Sequence, residues 1–307
     1  MGGDDAPVVP VAAARRAAAI HGLDVVLVGD PAAMHAAGLP AEGSGVAIAP
    51  AADVIGMDEE AALAVRARPE ASIRVAIGLL AAGRADAVVS AGSTGATMAA
   101  ALLGVGRVRG IRRPVLAAVL PFIAQAGTAA GAGGPEGARF GAVLVDAGAS
   151  SDVQPEALVA YARMGIAYAR VLGVDAPRVG LLNVGGERGK GNELARAAYG
   201  LLSELVEFVG NVEPRAVLTG AVDVVATDGF TGNVFLKTVE AVGARAFGIQ
   251  ANRAAPVGGP GAAVLLGVAG PVLVAHGAAD ADELVAALLM ADRVATSGMV
   301  DRLGAVL

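Results

Sequence analysis

Two short runs of this sequence carry residue types able to hold a small anion. Residues 86–96 read DAVVSAGSTGA and residues 223–233 read DVVATDGFTGN, a constant offset of 137 positions. Asp86, Val88, Gly92, Thr94 and Gly95 recur as Asp223, Val225, Gly229, Thr231 and Gly232. Each copy is an aspartate, an apolar β-type run, and then Gly-x-Thr-Gly opening a helical stretch. A strand that turns on glycines into a helix N-terminus aims free backbone N–H groups and a positive dipole end at one point. In an open α/β sheet such turns lie at the carboxyl ends of the strands, where ligands bind. One copy alone reads equally well as glycine permitting a tight turn. The threonine repeated in both favours two anion- or carbonyl-holding loops.

Further polar loops follow predicted strands. Asp146 to Asp152 (DAGASSD) follows 142–145, and 183–192 (NVGGERGKGN) follows 179–182. Asn211 and Glu213 follow 207–209, and His276-Gly277 follows 271–275. Lys190 stands between Gly189 and Gly191. A long cation on a glycine loop ahead of a helix suits a phosphate or a developing oxyanion, and a solvated turn lysine is the other reading. The loop is not a P-loop, because Val184 takes the first glycine's place and Gly191 that of the Ser or Thr. No Gly-x-Gly-x-x-Gly follows a strand, so a dinucleotide site lacks specific support. His276 reads either as a hydrogen-bond or proton donor, or as a cap on the strand end or the next helix. His21 and His35 sit in Ala-rich helical stretches and read as structural. Asp146 and Asp152 form only one short acidic loop for Mg²⁺, and three scattered histidines lack zinc spacing. No metal and no cofactor are expected. Arg107, Arg109, Arg112 and Arg113 read as a docking patch for an acidic partner or as solvated turn charges.

Bulk properties narrow the classes. A chain of 307 residues fits one large α/β domain or two close lobes. Cysteine is absent, which excludes disulfides, thiolate metal sites and a cysteine acyl-enzyme. A net charge of −6 argues against a nucleic-acid binder, and 3% aromatic residues leave few stacking platforms. Mean hydropathy is +0.63, yet the longest apolar stretch, 262–275, is cut by Gly267, Gly270 and Pro271. A membrane span needs about 20 apolar residues. The acidic start shows no secretory signal, so a cytoplasmic protein is expected.

Short β-branched runs (24–28, 45–49, 87–90, 115–120, 142–145, 179–183, 207–209, 222–226, 271–275) alternate with helical stretches (9–21, 61–82, 94–105, 155–172, 192–205, 232–247, 280–295). That alternation predicts an α/β fold, its sheet mostly parallel with helices on both faces. Residues 124–141 read as a mobile Gly/Ala-rich insertion, and 251–261 as a Pro/Gly-rich link.

Taken in order, these loops resemble the bacterial phosphate acyltransferases that convert fatty acyl–acyl-carrier-protein to acyl phosphate for phospholipid synthesis. The matching runs are MGGDDAP (1–7), LVGD (27–30), RADAVVSAGSTGA (84–96), the Arg-Pro of GIRRP (110–114), LVDAGAS (144–150), PRVGLLNVG (177–185), GKGNE (189–193), FVGNVE (208–213), DVVATDGFTGNVFLKT (223–238) and AHG (275–277). The resemblance covers nearly the whole chain. It implies a single domain over 1–307 with a three-layer α/β fold of the isopropylmalate and isocitrate dehydrogenase kind, without their nucleotide or metal. It also implies a homodimer and peripheral contact with the inner face of the membrane, where a glycerol-3-phosphate acyltransferase consumes the product.

There are departures from the family pattern. Members usually carry a strand ending Val-Asp-Ala before the Met-Gly-Gly-Asp, and this sequence starts at that Met, so a central strand is expected to be missing or supplied differently. Asp5 stands where many have His, Ser93 and Ser150 where many have Asn, and Ala278 and Ala279 where hydroxyl or amide residues are common. A longer apolar helical hairpin is reduced to a linker at about 248–263.

The resemblance, with the absent cysteine, implies direct attack of inorganic phosphate on the acyl-carrier-protein thioester. Lys190 is assigned to phosphate charge or oxyanion, Asn233 to a side-chain N–H on the carbonyl, and His276 to a donor for the departing sulfur. The substrate-binding set is Gly92, Ser93, Thr94, Gly95, Asp146, Asn183, Gly189, Asn192, Asn211, Asp228, Gly229, Thr231 and Gly232. Two other readings stay open: a phosphotransacetylase-like enzyme acting on short acyl-CoA, and a non-catalytic paralogue that binds acyl or phosphate ligands.

Overall fold

The computed structural model describes residues 1–122, 141–246 and 261–305, except Glu42 and Ser44. The chain divides into two compact units, Met1–Arg107 with Pro260–Val300, and Val108–Gly259 with Asp301–Leu307. In chain order the first stretch carries α1 (Val8–His21), β1 (Val25–Gly29), α2 (Pro31–Ala36), β2 (Val46–Pro50), α3 (Ala61–Ala67), α4 (Ser72–Ala81), β3 (Val88–Ser90) and α5 (Thr94–Gly104). Next come β4 (Val115–Leu120), β5 (Ala142–Val145), α6 (Pro155–Val171), β6 (Val179–Leu182), α7 (Glu193–Leu202), β7 (Phe208–Val212), α8 (Pro214–Leu218), β8 (Val224–Ala226) and α9 (Gly229–Ala246). The chain then forms β9 (Ala262–Leu266), β10 (Val272–Ala275), α10 (Ala281–Thr296) and α11 (Met299–Ala305). No helix among the described residues is long and apolar enough to cross a membrane.

In the second unit the strand order is β4-β5-β8-β6-β7. β5, β8, β6 and β7 run parallel, in register at Leu144↔Val225, Gly180↔Val225 and Leu182↔Val212. Their carboxyl ends therefore share one rim. Every residue of β4, β5 and β8 is buried, as expected of strands covered on both faces. Gly165 of α6 lets that helix settle on the sheet, since a Cβ there would lie 2.5 Å from Val224 and 2.9 Å from Val145. At the amino end of β8, buried Asp223 accepts from the Arg178 backbone N–H at 2.9 Å and from its Nε at 3.0 Å.

Among the described residues of the first unit β1 pairs in parallel with β2 alone, and β3 pairs in parallel with β10. β10 in turn pairs antiparallel with β9. Asp280 and Glu283 form a capping box that starts α10, and Asp30 caps α2 ahead of Pro31. Both devices satisfy helix-terminal N–H groups that have no intrahelical acceptor.

The elements differ from the sequence expectation in a few places, each with a local cause. The helix expected over 61–82 is two helices, α3 and α4. Arg68 precedes Pro69 and adopts φ −120°, ψ 80°, because a residue before proline is driven out of the α region. The apolar run 262–275 is two antiparallel strands, β9 and β10, and Gly267 adopts a positive φ of 94° between them. Short connections favour antiparallel neighbours, whereas parallel pairs need long crossovers. The short helices α2, α8 and α11 were not expected; α2 and α8 each begin on a proline, which fits a helix's first turn. The insertion at 124–141 and the linker at 248–263 fall almost wholly outside the described residues.

Candidate functional site

The second unit gathers most of the candidate residues along its carboxyl rim. Val145 ends β5 and hands the chain to Asp146, which is fully buried. Its Oδ1 accepts from the N–H groups of Leu116 (3.3 Å), Gly148 (2.9 Å) and Ala149 (2.8 Å), and its Oδ2 from that of Ser150 (2.8 Å). Burial pushes the Asp146 pKa up, and the four amides oppose that rise by stabilising the carboxylate. The side chain thus organises the 146–150 loop from inside.

The N-terminus of α9 rests directly on that loop. Gly229 N–H donates to Ser150 O at 2.8 Å, and a Cβ on Gly229 would lie 2.7 Å from that oxygen. A Cβ on Gly232 would overlap the carbonyl oxygen of Asp146. Both glycines are required by close approach of backbone to backbone, and both amides are engaged within the protein, that of Gly232 by Asp228 O at 2.9 Å. Asp228 accepts from Thr231 N–H at 2.8 Å and from Thr231 Oγ1 at 2.7 Å. That pair closes the first turn of α9 in the manner of an N-cap. Asn233 is exposed and its side chain lies over Gly148, 3.3 Å from where a Cβ there would sit.

The loop carrying Lys190 leaves β6 on the same rim. Asn183 donates from Nδ2 to Lys190 O at 3.1 Å and accepts from Val184 N–H at 2.8 Å. Asn211, on the adjacent β7, donates from Nδ2 to Glu187 O at 2.8 Å. Gly191 has φ +96°, and a Cβ there would strike the Asn183 amide at 2.5 Å. These two asparagines therefore clamp the loop by its backbone, while Lys190 and Gly189 are left exposed. Asn211 Oδ1 is buried and accepts no hydrogen bond from the described residues. Asn192 caps α7 by accepting from Ala195 N–H at 2.8 Å. Arg188 stacks on the Tyr199 ring, 5.5 Å from its centroid.

The first copy of the repeated pattern belongs to the first unit. Ser93 caps α5, its Oγ accepting from Ala96 N–H at 3.3 Å, and Gly92 N–H donates to Ser90 Oγ at 3.2 Å. Thr94, the first residue of α5, is exposed, and Gly95 lies against Ala61. Two neighbours were not assigned from sequence. A Cβ on Gly2 would come within 3.0 Å of Gly92 Cα, and Asp4 N–H donates to Gly277 O at 2.9 Å. The 1–4 segment thus lies against both the Gly92 turn and the His276-Gly277 turn. Its signal was the Gly-Gly-Asp at 2–4, whose glycines permit that approach. His276 is exposed, and the residue that caps α10 is Asp280.

Comparison with known proteins accords with this architecture. Residues 1–256 match a family model described as "Fatty acid synthesis protein". A phosphate acyltransferase of Thermus thermophilus is 43% identical over 327 aligned positions, covering 98% of this chain and 95% of that protein. One from Desulfitobacterium hafniense is 40% identical, covering 99% and 94%. Among solved structures, a phosphotransacetylase from Streptococcus pyogenes superposes with a TM-score of 0.64 at 17% identity, covering 95% of this chain and 91% of that one. A 4-hydroxythreonine-4-phosphate dehydrogenase from Klebsiella pneumoniae superposes with a TM-score of 0.51 at 14% identity, covering 94% of each. Both share the fold with this chain.

Asp146→Ala is expected to lower unfolding free energy by about 3 kcal/mol, because it strands the buried Leu116 N–H and takes the acceptor from three part-buried loop amides. Gly232→Ala is expected to destabilise comparably through backbone overlap. Urea unfolding reads both, and a wild-type midpoint for either variant would contradict this account of the loop.

Proposed function

This chain belongs to the phosphate acyltransferase family, and from that membership we propose that it joins inorganic phosphate to the acyl group of a fatty acyl–acyl-carrier-protein, releasing acyl phosphate. The carrying observation is near-full-length likeness to phosphate acyltransferases in a chain that has no cysteine for an acyl-enzyme. A phosphate oxygen of hydrogen phosphate attacks the thioester carbonyl carbon. The tetrahedral intermediate then collapses with cleavage of the C–S bond, and the proton carried by hydrogen phosphate ends on the carrier thiol. Phosphate is anionic at neutral pH, so the enzyme's work is positioning and charge stabilisation. Lys190 supplies the ammonium for phosphate or oxyanion charge. Its clamped backbone supports that role, because the cation is then presented from a fixed loop. Asn233 supplies a side-chain N–H for the carbonyl oxygen. In the first unit, exposed His276 is a candidate proton donor and the Gly92 turn offers the N-terminus of α5 to an anion.

Arg109, Arg112 and Arg113 lie exposed in the second unit, and Arg113 Nη1 donates to Asp152 O at 3.3 Å. We assign these three to docking of the acidic carrier protein. α9 supports a homodimer: Phe230, Val234 and Val242 are 67%, 52% and 57% exposed, and a second copy would cover them. Fold likeness to a phosphotransacetylase favours one other reading, transfer between phosphate and a short acyl-CoA.

The deciding assay offers palmitoyl–carrier protein and phosphate and follows free carrier thiol together with hydroxamate-trappable acyl phosphate. Phosphate-dependent product is expected; activity confined to acetyl-CoA would transfer the assignment to the second reading. Lys190→Ala and Asn233→Ala should each reduce turnover by about 10²-fold with the fold intact, and near-normal turnover of either removes that residue from the mechanism. Arg112→Glu with Arg113→Glu should weaken carrier binding most at low salt; unchanged binding at low ionic strength rejects the dock. Sedimentation of Val234→Lys against wild type reads the dimer, with a monomer expected for the variant only.

A further inference from the structure

The loop that carries Lys190 also carries a carboxylate, and the two side chains meet over one glycine. A Cβ on Gly185 would lie 2.9 Å from Glu187 Oε2, 3.3 Å from Lys190 Cγ and 3.7 Å from Lys190 Cδ. Gly185 is buried, whereas Glu187 and Lys190 are exposed. The backbone fixes where both side chains start. Lys190 N–H donates to Glu187 O at 3.0 Å, and that same carbonyl accepts from Asn211 Nδ2 at 2.8 Å. Asn183 Nδ2 holds Lys190 O from the neighbouring strand. Among the described residues, neither the ammonium nor the carboxylate has a hydrogen bond or an ion pair. The two arginines of the segment are engaged elsewhere, Arg188 on the Tyr199 ring and Arg196 on Gly191 O. An acid and a base thus stand side by side on a clamped loop, each with its polar end open to a ligand.

A carboxylate beside an anion site repels its ligand unless the ligand brings a proton to it. Among tetrahedral dianions, hydrogen phosphate carries one P–OH and sulfate carries no proton. At about pH 8 both have the same charge, so the Lys190 ammonium attracts them alike. A carboxylate accepts the P–OH in a short, charge-assisted hydrogen bond. Toward sulfate it can only set acceptor against acceptor, which costs binding. Sites built round a substrate hydroxyl reject the analogue lacking it far more strongly than apolar pockets reject a missing methylene.

We propose that Glu187 selects hydrogen phosphate over sulfate, accepting the P–OH while Lys190 holds the charged oxygens, a role that rests on the assignment of Lys190 to phosphate made above. With the protonated oxygen turned to Glu187, an unprotonated oxygen is left to face the thioester. Selection also protects the substrate, because attack by sulfate would spend the thioester on an acyl sulfate.

Broadening of the phosphorus NMR line of inorganic phosphate by the full chain reads binding without requiring turnover. Sulfate added to the same sample reads competition. Wild type should release phosphate only at sulfate concentrations about 10-fold or more above those of phosphate. Glu187→Gln keeps the size and removes the charge, and it should bring the two anions to within about 3-fold of each other. Lys190→Ala should abolish the broadening. Equal competition by sulfate in wild type, or an undiminished phosphate preference in Glu187→Gln, overturns the role of Glu187 and leaves that of Lys190 standing. Broadening that survives Lys190→Ala, or a line that stays sharp with wild type, removes Lys190 from the phosphate site and the proposal with it.

Discussion

A buried carboxylate that accepts four backbone N–H groups is the contact on which the second unit's rim depends. Asp146 is fully buried, and an isolated ionised side chain there would be untenable. Its donors come from Leu116 at the start of β4 and from Gly148, Ala149 and Ser150 just downstream. Each bond serves twice, solvating the charge and satisfying an amide that leaves the sheet. The loop becomes compact enough for α9 to begin on top of it. That geometry requires glycine at 229 and 232, where any side chain would meet the loop's backbone.

The Lys190 loop solves the same problem with neutral groups. Asn183 and Asn211 instead hold the carbonyls of Lys190 and Glu187 from two adjacent strands. A loop held by its backbone leaves its side chains unconstrained, so an exposed cation can be presented from a fixed base. Clamping reduces the ordering that a bound ligand would otherwise impose on the loop.

The repeated Gly-x-Thr-Gly pattern located two strand-to-helix turns, because glycine, threonine and the preceding apolar run all act locally. Chemistry within each turn was less legible. Asp86 is exposed, whereas its counterpart Asp223 is buried against Arg178, a difference set by neighbours distant in sequence. Gly229 and Gly232 looked like phosphate-facing amides, yet their N–H groups are bound to Ser150 and Asp228. The conflict arises because glycine serves close backbone packing and ligand approach with the same absence of a Cβ. Asp146, Asn183 and Asn211 were found as polar residues at strand ends. That their side chains turn inward to hold loops depends on tertiary contacts that no local pattern encodes. Pro69 was visible in the sequence, but the apolar run on both sides masked the break it causes.

Charge balance bears on what the rim can bind. The chain carries a net charge of −6, so a phosphate dianion approaches a surface that repels it on average. Local cations and oriented amides must outweigh that background. In the sequence Lys190 lies between Arg188, stacked on Tyr199, and Arg196, which donates to Gly191 O. Two unit charges 4 Å apart near a protein surface attract by about 4 kcal/mol at an effective dielectric of 20, before desolvation is counted. Long-range repulsion is screened within about 8 Å at physiological salt. Attraction at contact distance can therefore offset the screened long-range repulsion, as anion binding at this rim under the proposed function would require.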